Sequence, residues 1–235
     1  MFRKKKVKTH YEEGWDSYSE TWEAQQKKNG INKLGDEWGT EELTTEIINN
    51  FVVPYIPPRP DILEIGCGGG KFSARLAPLA GKLICTDVSS KMLERTQKRL
   101  EEMPNIEFEK LNGYDLHQFK NNQFDFVLSF DTFVHIDMED AYSYIKEIKR
   151  VLRPKGKGLL HFANILSPEG WQKFVTEVPF YRGDHKYYNR FRFLTWEIVE
   201  RFLSSLGFVI LSYKKEPWRD ILVVFGNEQD AIKGS

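Results

Sequence analysis

The sequence predicts an α/β fold in which a mostly parallel sheet carries helices on both faces. Strand-like and helix-like segments alternate from residue 61 to residue 164, and a glycine-rich turn directly follows the first of them. This alternation is typical of a parallel sheet. Two further strand-like segments, 208–215 and 220–226, are separated only by a short turn at Glu216-Pro217. So short a turn joins antiparallel strands, so we expect a hairpin at the C-terminal end of the sheet.

Size and composition fit one large domain. The chain has 235 residues, a formal net charge of zero and 40% hydrophobic residues, which is enough to cover both faces of a sheet. Cys67 and Cys85 fall at predicted strand ends, where we expect small buried residues and no disulfide. No apolar run reaches the length of a membrane-spanning helix, so we expect a cytoplasmic protein that makes no membrane contact.

The N-terminal region precedes the predicted sheet. Residues 1–10 are basic, and no hydrophobic stretch follows as in a signal peptide. We expect a flexible tail there, with contact to RNA or an anionic surface as the alternative. Residues 11–235 are then one domain. Within it, residues 11–56 are predicted to be a helical lid, since Trp15, Tyr18 and Trp22 share one helical face that must pack on the sheet.

The first strand, 61–66, runs into a turn with glycines at Gly66, Gly68 and Gly70. A turn of this kind brings bare backbone close to a nucleotide-like ligand. The spacing differs from the dinucleotide fingerprint G-x-G-x-x-G, whose third glycine would fall on Lys71, and no P-loop sequence follows. A helix is predicted over 70–79.

The second strand, 82–87, ends at Asp87, and a helix over 90–103 follows. A carboxylate at this strand end can accept both hydroxyls of a ribose. The alternative is an aspartate that only stabilises a turn. The glycine turn one strand earlier favours the ligand interpretation.

The remaining segments complete the alternation. Strands are predicted over 106–111, 124–130 and 157–164, and helices over 138–152 and 195–206. Asp137, Glu139 and Asp140 precede or begin the 138–152 helix, where acidic residues favour the helix dipole. We prefer that interpretation to a metal site, and no metal is predicted.

Five segments together resemble the class I S-adenosylmethionine-dependent methyltransferases. They are LEIGCGGG (63–70), TDVSSKML (86–93), IEFEKLNGYDL (106–116), FDFVLSFDTFVHI (124–136) and IKRVLRPKGKGLLHF (148–162). The resemblance implies a Rossmann-like, seven-stranded sheet that ends in an antiparallel hairpin. It also implies S-adenosylmethionine as the cofactor.

The predicted cofactor site follows from this resemblance and from the carboxyl ends of the strands. Glu64 is expected to hold the methionine ammonium group. Asn112 replaces the acidic residue that usually accepts from the adenine amino group, and a plain turn at Asn112-Gly113 is the alternative. The full predicted set is Glu64, Gly66, Cys67, Gly68, Gly70, Asp87, Val88, Met92, Asn112, Gly113, Ser129 and Phe130.

The predicted catalytic residues are His135, Asp131 and Tyr18. A similar D-x-x-x-H segment occurs in phosphobase N-methyltransferases, where the histidine pairs with a tyrosine of the N-terminal lid. Here that tyrosine would be Tyr18 or Tyr11. His135 would then act as a general base near neutral pH, and a histidine that merely packs or caps is the alternative.

An insertion over 165–194 is rich in aromatic and basic residues. In enzymes that the chain resembles, this region roofs the acceptor pocket, and such walls suit a flat or anionic small molecule. The alternative is a surface insertion whose aromatic residues pack on the sheet.

These features predict a methyltransferase that acts on O or N of a small molecule. A nucleic-acid methyltransferase is less favoured, because SFDTF at the fourth strand has neither an Asn/Asp-Pro-Pro-aromatic motif nor a reactive cysteine. A non-catalytic cofactor-binding partner subunit is the third possibility, although the glycine turn and Asp87 look intact. A nicotinamide dehydrogenase is disfavoured by Lys71 and by the hairpin.

Overall fold

The computed structural model describes residues 9–26, 33–180, 190–215 and 218–227. Most of the predicted basic tail, the central part of the 165–194 insertion and the Glu216-Pro217 turn lie outside these residues.

The main sheet has the seven strands predicted, in the order β3-β2-β1-β4-β5-β8-β7. Neighbouring strands from β3 to β5 pair in parallel, and β8 is antiparallel to both β5 and β7. The antiparallel hairpin is thereby confirmed. One short strand that was not predicted, β6, pairs with the end of β5. The strands are β1 (Asp61–Ile65), β2 (Lys82–Asp87), β3 (Ile106–Lys110), β4 (Phe124–Ser129), β5 (Leu152–Asn164), β6 (Phe193–Leu194), β7 (Phe208–Lys214) and β8 (Asp220–Asn227).

Seven α-helices accompany the described strands. They are α1 (His10–Gln26), α2 (Glu41–Ile47), α3 (Ser73–Leu76), α4 (Ser90–Arg99), α5 (Met138–Val151), α6 (Pro168–Glu177) and α7 (Trp196–Ser205). A π-helical turn, Ile48–Val52, extends α2 and leads into the 3-10 turn Val53–Tyr55.

Three predicted bounds are wrong for local reasons. The helix predicted over 90–103 ends at Arg99, because the backbone of Leu100 already leaves the helical conformation. The helix predicted over 70–79 is only the single turn α3, because Gly70 has a φ of +79° and Pro78 lacks the amide hydrogen that a helix needs. Strand β5 begins at Leu152, directly after α5, and not at residue 157. Leu152 pairs with Phe124, and the pairing with β4 then shifts register before Phe126.

The strands bury residues on both faces. On one face Leu63 and Ile65 of β1 join a core with α5 and α7, including Tyr144, Ile148 and Leu203. On the other face Ile62 joins a core with α3 and the helical turns after α2. Neighbouring residues of one strand therefore serve opposite layers, as in a sheet covered by helices on both sides.

The N-terminal region packs on the sheet domain. Trp22 of α1, Leu34 and Met92 of α4 form a third buried cluster, with Trp15, Tyr18 and Trp38 partly buried against it. Cys67 and Cys85 are buried free thiols. No helix in the described part of the chain is long and apolar enough to cross a membrane.

The crevice of this sheet lies beyond β1 and β4. Strand β1 pairs with β2 on one side and with β4 on the other, so the chain's path leads away from β1 in two directions. Open parallel sheets bind ligands outside the carboxyl ends of the strands at such a point. The turn after Ile65 and the segment after Ser129 are therefore next to each other at the crevice.

Candidate active site

Two adjoining cavities open at this crevice. The first has a volume of about 880 Å³ and the second about 1300 Å³. Five residues line both cavities: Trp15, Trp38, Phe130, Asp131 and His135. We call the place where these five residues lie the junction. A group held in one cavity therefore meets a group held in the other at the junction.

The glycine turn is packed so tightly that side chains cannot be added at two of its positions. A Cβ on Gly66, which has a φ of +75°, would lie 2.1 Å from Thr132 Oγ1. A Cβ on Gly69 would lie 1.9 Å from the carbonyl oxygen of Leu34. The turn thus has Thr132 of the β4 edge on one side and the N-terminal region on the other, and only glycine fits between them.

Asp87 anchors the same turn from the end of β2. Its Oδ2 accepts the Gly68 amide at 3.0 Å, and its Oδ1 accepts the Ser89 amide at 2.8 Å. Burial raises the pKa of Asp87 to about 6, against the lowering effect of these amides. The contacts agree with a turn aspartate, yet each carboxylate oxygen keeps a further lone pair for a ligand, and Asp87 lines the first cavity.

Glu64 lies fully buried on β1, beneath the turn. Ser73 Oγ donates to its Oε2 at 2.5 Å, and Cys85 Sγ lies 3.7 Å from the same oxygen. Burial raises the pKa of Glu64 to about 7. Glu64 also lines the first cavity, so a cation bound there would favour its ionised form.

Eight of the twelve predicted cofactor residues line the first cavity. They are Glu64, Gly66, Cys67, Asp87, Val88, Met92, Gly113 and Phe130. Gly68, Gly70, Asn112 and Ser129 are not among the lining residues. Asn112 Oδ1 accepts the amides of Tyr114 and Asp115, both at 3.0 Å, as in the turn alternative. Ser129 Oγ donates to the carbonyl oxygen of Ile65 at 2.8 Å and ties β4 to β1.

The loop after α1 covers the first cavity. Lys71 is buried and donates through Nζ to the carbonyl oxygens of Trp38 at 3.1 Å and Gly39 at 2.6 Å. In the sequence, Lys71 stands out only because it replaces the third glycine of the dinucleotide motif. Its role as an anchor for the loop could not be foreseen, because its partners are backbone oxygens more than thirty residues earlier.

Tyr11 and Tyr18 make different contacts from those expected. The Tyr11 hydroxyl donates to Asp140 Oδ2 at 2.9 Å and accepts the Asp137 amide at 3.0 Å, so these acidic residues hold α1 as well as starting α5. The Tyr18 hydroxyl donates to Glu37 Oε1 at 2.9 Å and not to His135. Glu37 also accepts Trp22 Nε1 at 2.7 Å. No group of three potential metal-ligating residues occurs among the described residues.

His135 is half-buried in the 3-10 turn that follows β4. Its Nδ1 lies 3.1 Å from the carbonyl oxygen of Arg190, and its ring packs edge-on against Trp15 and Phe191 at 5.0 and 5.1 Å between centroids. Burial lowers the pKa of His135 to about 4. The ring is therefore neutral at pH 7. When Nδ1 donates to Arg190, Nε2 remains a hydrogen-bond acceptor.

Asp131 has a neighbour that the sequence analysis missed. Asp131 Oδ1 lies 3.3 Å from Nδ1 of His161, whose Nε2 lies 3.1 Å from Asp220 Oδ2. His161 is in β5 and Asp220 begins β8. The register that pairs Ala163 with Asp220 and His161 with Leu222 puts His161 and Asp220 two residues apart across the antiparallel pair of β5 and β8. The sequence signal was weak: a histidine within an apolar strand.

The second cavity has mainly aromatic walls. Tyr18, Phe191 and Trp218 join the five junction residues, with Lys173 and Arg219 as its cations. Of the described residues in the 165–194 insertion, Lys173 and Phe191 line this cavity. Trp171 is instead 55% exposed on α6. Residues 181–189 lie outside the described ranges, and a roof over the acceptor pocket stays a prediction.

Comparison with known proteins gives a consistent result. A sequence model of the methyltransferase domain matches residues 62–156. An uncharacterized methyltransferase of Schizosaccharomyces pombe is 26% identical over 53% of this chain and 47% of its own length. A ubiquinone biosynthesis O-methyltransferase of Xanthomonas oryzae is 25% identical over 60% of this chain and 62% of its own length. The chain thus spans about half to three-fifths of these relatives.

Solved structures match more of the chain. The magnesium protoporphyrin IX methyltransferase of Synechocystis, crystallised with bound SAH, has a TM-score of 0.70 and covers 93% of this chain and 100% of its own, at 16% identity. A protein of Pyrococcus horikoshii has a TM-score of 0.62 and is 21% identical. The match covers 80% of this chain and 92% of that protein's chain. At such identities the likeness shows the fold, and the Rossmann-like methyltransferase fold is confirmed.

Proposed function

Because residues 62–156 are a class I S-adenosylmethionine-dependent methyltransferase domain, we propose that this chain transfers a methyl group from S-adenosylmethionine to O or N of a small molecule. The observation that carries the proposal is the junction. The glycine turn, Asp87 and Glu64 line one cavity, an aromatic second cavity lies beside it, and both reach Asp131 and His135.

The residues of the first cavity fit the cofactor. The glycine turn offers bare backbone, Asp87 has free lone pairs for ribose hydroxyls, and Glu64 has a carboxyl group suited to the methionine ammonium group. When bound, S-adenosylmethionine supplies a methyl group on a positively charged sulfur, ready for displacement.

The chain's own contribution is alignment and exclusion of water. Trp15 and Trp38 belong to the N-terminal region and lie over the junction, where they keep solvent from the reacting groups. His135 and Asp131 present acceptor atoms to the molecule in the second cavity. In-line displacement gains much of its rate from such positioning. Tyr18 contributes through Glu37, by holding α1 against the loop that follows it.

Binding calorimetry tests the proposal directly. We expect S-adenosylhomocysteine to bind the full chain and NAD not to bind, because the turn lacks the dinucleotide spacing. S-adenosylmethionine should bind to the same site and compete with S-adenosylhomocysteine. Binding of NAD together with no binding of S-adenosylhomocysteine would exclude this function.

The N-terminal region is expected to act as a lid. Its loop contacts the glycine turn at Gly69 and Lys71, so it cannot open without exposing the first cavity. At about a hundred times its Kd, S-adenosylhomocysteine should slow amide exchange of α1 by up to about a hundredfold where opening limits exchange. Helix α7, on the sheet face away from this loop, is the internal control. If the amides of α1 exchange at the same rate with and without S-adenosylhomocysteine, α1 is an ordinary part of the core and not a lid.

A further inference from the structure

A row of charged groups extends from the junction into the protein interior. We call Asp131, His161 and Asp220 the Asp-His-Asp row. His161 and Asp220 are each only 1% exposed. Behind them Arg219 donates to Asp220, with Nε 2.8 Å from both carboxylate oxygens. The four groups balance in charge when His161 is protonated, and a balanced, paired set is the form in which charges are tolerated in a protein interior.

His161 has a partner at Nδ1 in either protonation state. Its Nδ1 is 3.1 Å from the backbone nitrogen of Asp131 and 3.3 Å from Asp131 Oδ1. A neutral ring accepts from the amide, and a protonated ring donates to the carboxylate. Burial alone would lower the pKa of His161, but Asp131 and Asp220 outweigh it and raise the pKa to about 9. At neutral pH the ring is therefore protonated and lies within ion-pair distance of both carboxylates, with its Nε2 not aligned for a hydrogen bond to Asp220.

Asp131 is the member of the row that lines both cavities, whereas His161 and Asp220 line only the second. The Asp131 side chain is 26% exposed. Its backbone has a φ of +55°, a left-handed conformation that is uncommon outside glycine. Such strain persists only where surrounding structure enforces it and is frequent at functional sites. His161, through its two contacts with Asp131, is part of that enforcement.

The second cavity offers stacking faces to a flat molecule, and its carboxylates are already engaged by protein groups. Its aromatic walls offer faces on which a planar ring stacks. Arg219 and Lys173 lie 4.7 and 4.9 Å from the centre of the Phe191 ring. Of the carboxylates that line this cavity, Asp220 accepts from Arg219 and Asp131 lies beside His161. The carboxylate of Glu37 accepts from Tyr18, Trp22 and the Gly35 amide, which satisfies it without a cation.

From this arrangement we propose that the acceptor is a planar phenol, that Asp131 receives its hydroxyl proton, and that His161, held by Asp220, positions Asp131. The inference rests on the proposed function. As the carbon–sulfur bond breaks, its electron pair stays on sulfur while the phenol oxygen forms a bond to the methyl carbon. The phenol proton passes to the Asp131 carboxylate and leaves through the open cavity. Positive charge on His161 and Arg219 favours the negative charge that develops on oxygen.

His135 is the other basic group at the junction. Its low pKa shows that a positive charge on this ring is disfavoured by burial and by Lys173, against the opposite effect of Asp131 and Glu177. A proton taken up by Asp131 instead neutralises a charge, at a carboxylate that lines both cavities. The geometry therefore assigns the proton to Asp131, and His135 is left as a neutral wall and hydrogen-bond acceptor. This differs from the role of general base predicted from the sequence.

Methyl transfer from labelled S-adenosylmethionine to phenol, catechol and 2-naphthol, with aniline and benzylamine as matched amines, tests the inference. We expect methylation of the phenols and not of the amines. Asp131→Asn should lower kcat by about a hundredfold, the scale of lost general-base catalysis. His161→Gln and Asp220→Asn should each lower it by about tenfold. The controls are Asp125→Asn, in the strand β4 that leads to Asp131, and His117→Gln, an exposed histidine.

The positioning role of His161 also predicts the result of combining two substitutions. If His161 acts only through Asp131, His161→Gln should have no added effect on kcat in an Asp131→Asn background, because the two residues work as a unit. Additive losses would overturn that role. Calorimetry with S-adenosylhomocysteine on every variant confirms that it is folded. If the wild type binds S-adenosylhomocysteine but methylates only amines or none of the probes, the phenol inference fails and the proposed function stands. If it does not bind, the proposed function itself fails.

Discussion

His135→Phe is expected to gain about 3 kcal/mol of unfolding free energy relative to the wild type as the pH falls from 6.5 to 4. The native pKa of His135 is about 4, against an ordinary value of 6.5, because desolvation of the ring disfavours its charged form. Between these two pH values the unfolded chain takes up a proton that the folded chain refuses. Acidification therefore favours unfolding of the wild type, whereas a phenylalanine keeps the packing against Trp15 and Phe191 and has no such proton.

The difference between the two proteins is the quantity to measure, since other buried groups act in the opposite direction. Burial raises the pKa of Glu64 to about 7 and that of Asp87 to about 6. The folded chain thus binds protons at these carboxyl groups before the unfolded chain does, and acidification from pH 7 stabilises the fold through them. Both proteins share this contribution, so it cancels in the comparison.

Denaturant unfolding at several pH values supplies the data. The control is His117→Phe, because the His117 side chain is 69% exposed and lies outside both cavities. That variant loses the contact with Asp115, which lowers the pKa of that carboxyl group, so it should follow the wild-type pH dependence until the pH nears the range in which Asp115 titrates. If the wild type and His135→Phe differ by the same amount at every pH, His135 is not held neutral by burial.

Much of the fold could be predicted from the sequence because its central strands are short apolar runs with clear ends. Strand β1 stops at Gly66 and strand β2 stops at Asp87, and the structure reproduces both within one residue. Helix α3 was predicted too long, because a helical pattern of apolar residues does not reveal that Gly70 has left-handed backbone angles. The pattern of apolar residues predicts whether a segment is a helix or a strand better than it predicts where the segment ends.

The candidate site could be predicted only where its residues follow strands directly. Asp87, Asp131 and His135 follow or end a strand, so their place at the crevice could be inferred. His161 and Asp220 lie within strands separated by 58 intervening residues, and only the antiparallel register of β5 and β8 brings them together. Tyr18 was placed on the correct face of its helix, yet helical spacing does not identify the partner, which is Glu37.

Asp87→Ala is expected to weaken binding of S-adenosylhomocysteine by about 2 kcal/mol, or about thirtyfold, the scale for losing charged hydrogen bonds to a ligand. The carboxylate lines the first cavity at the end of β2, and its contacts to the Gly68 and Ser89 amides leave lone pairs for two ribose hydroxyls. Because the replacement is smaller, the strand should still form. Calorimetry at pH 8, where Asp87 is ionised, measures the loss.

Asp87 also anchors the glycine turn, so its effect on the ligand has to be separated from its effect on the turn. Thr96→Val is the matched control: Thr96 Oγ1 donates to the Gly68 carbonyl oxygen at 2.6 Å, so the variant removes a second anchor of the same turn and leaves Asp87 in place. We expect Thr96→Val to bind with nearly wild-type affinity. As the pH falls below 6, the gap between the wild-type and Asp87→Ala affinities should narrow, because a protonated Asp87 accepts less well. Protonation of Glu64, whose pKa is about 7, weakens binding in both proteins and cancels in this comparison. Equal affinity of Asp87→Ala and the wild type at pH 8 would leave Asp87 with the turn alone, and the ribose would then need a different acceptor.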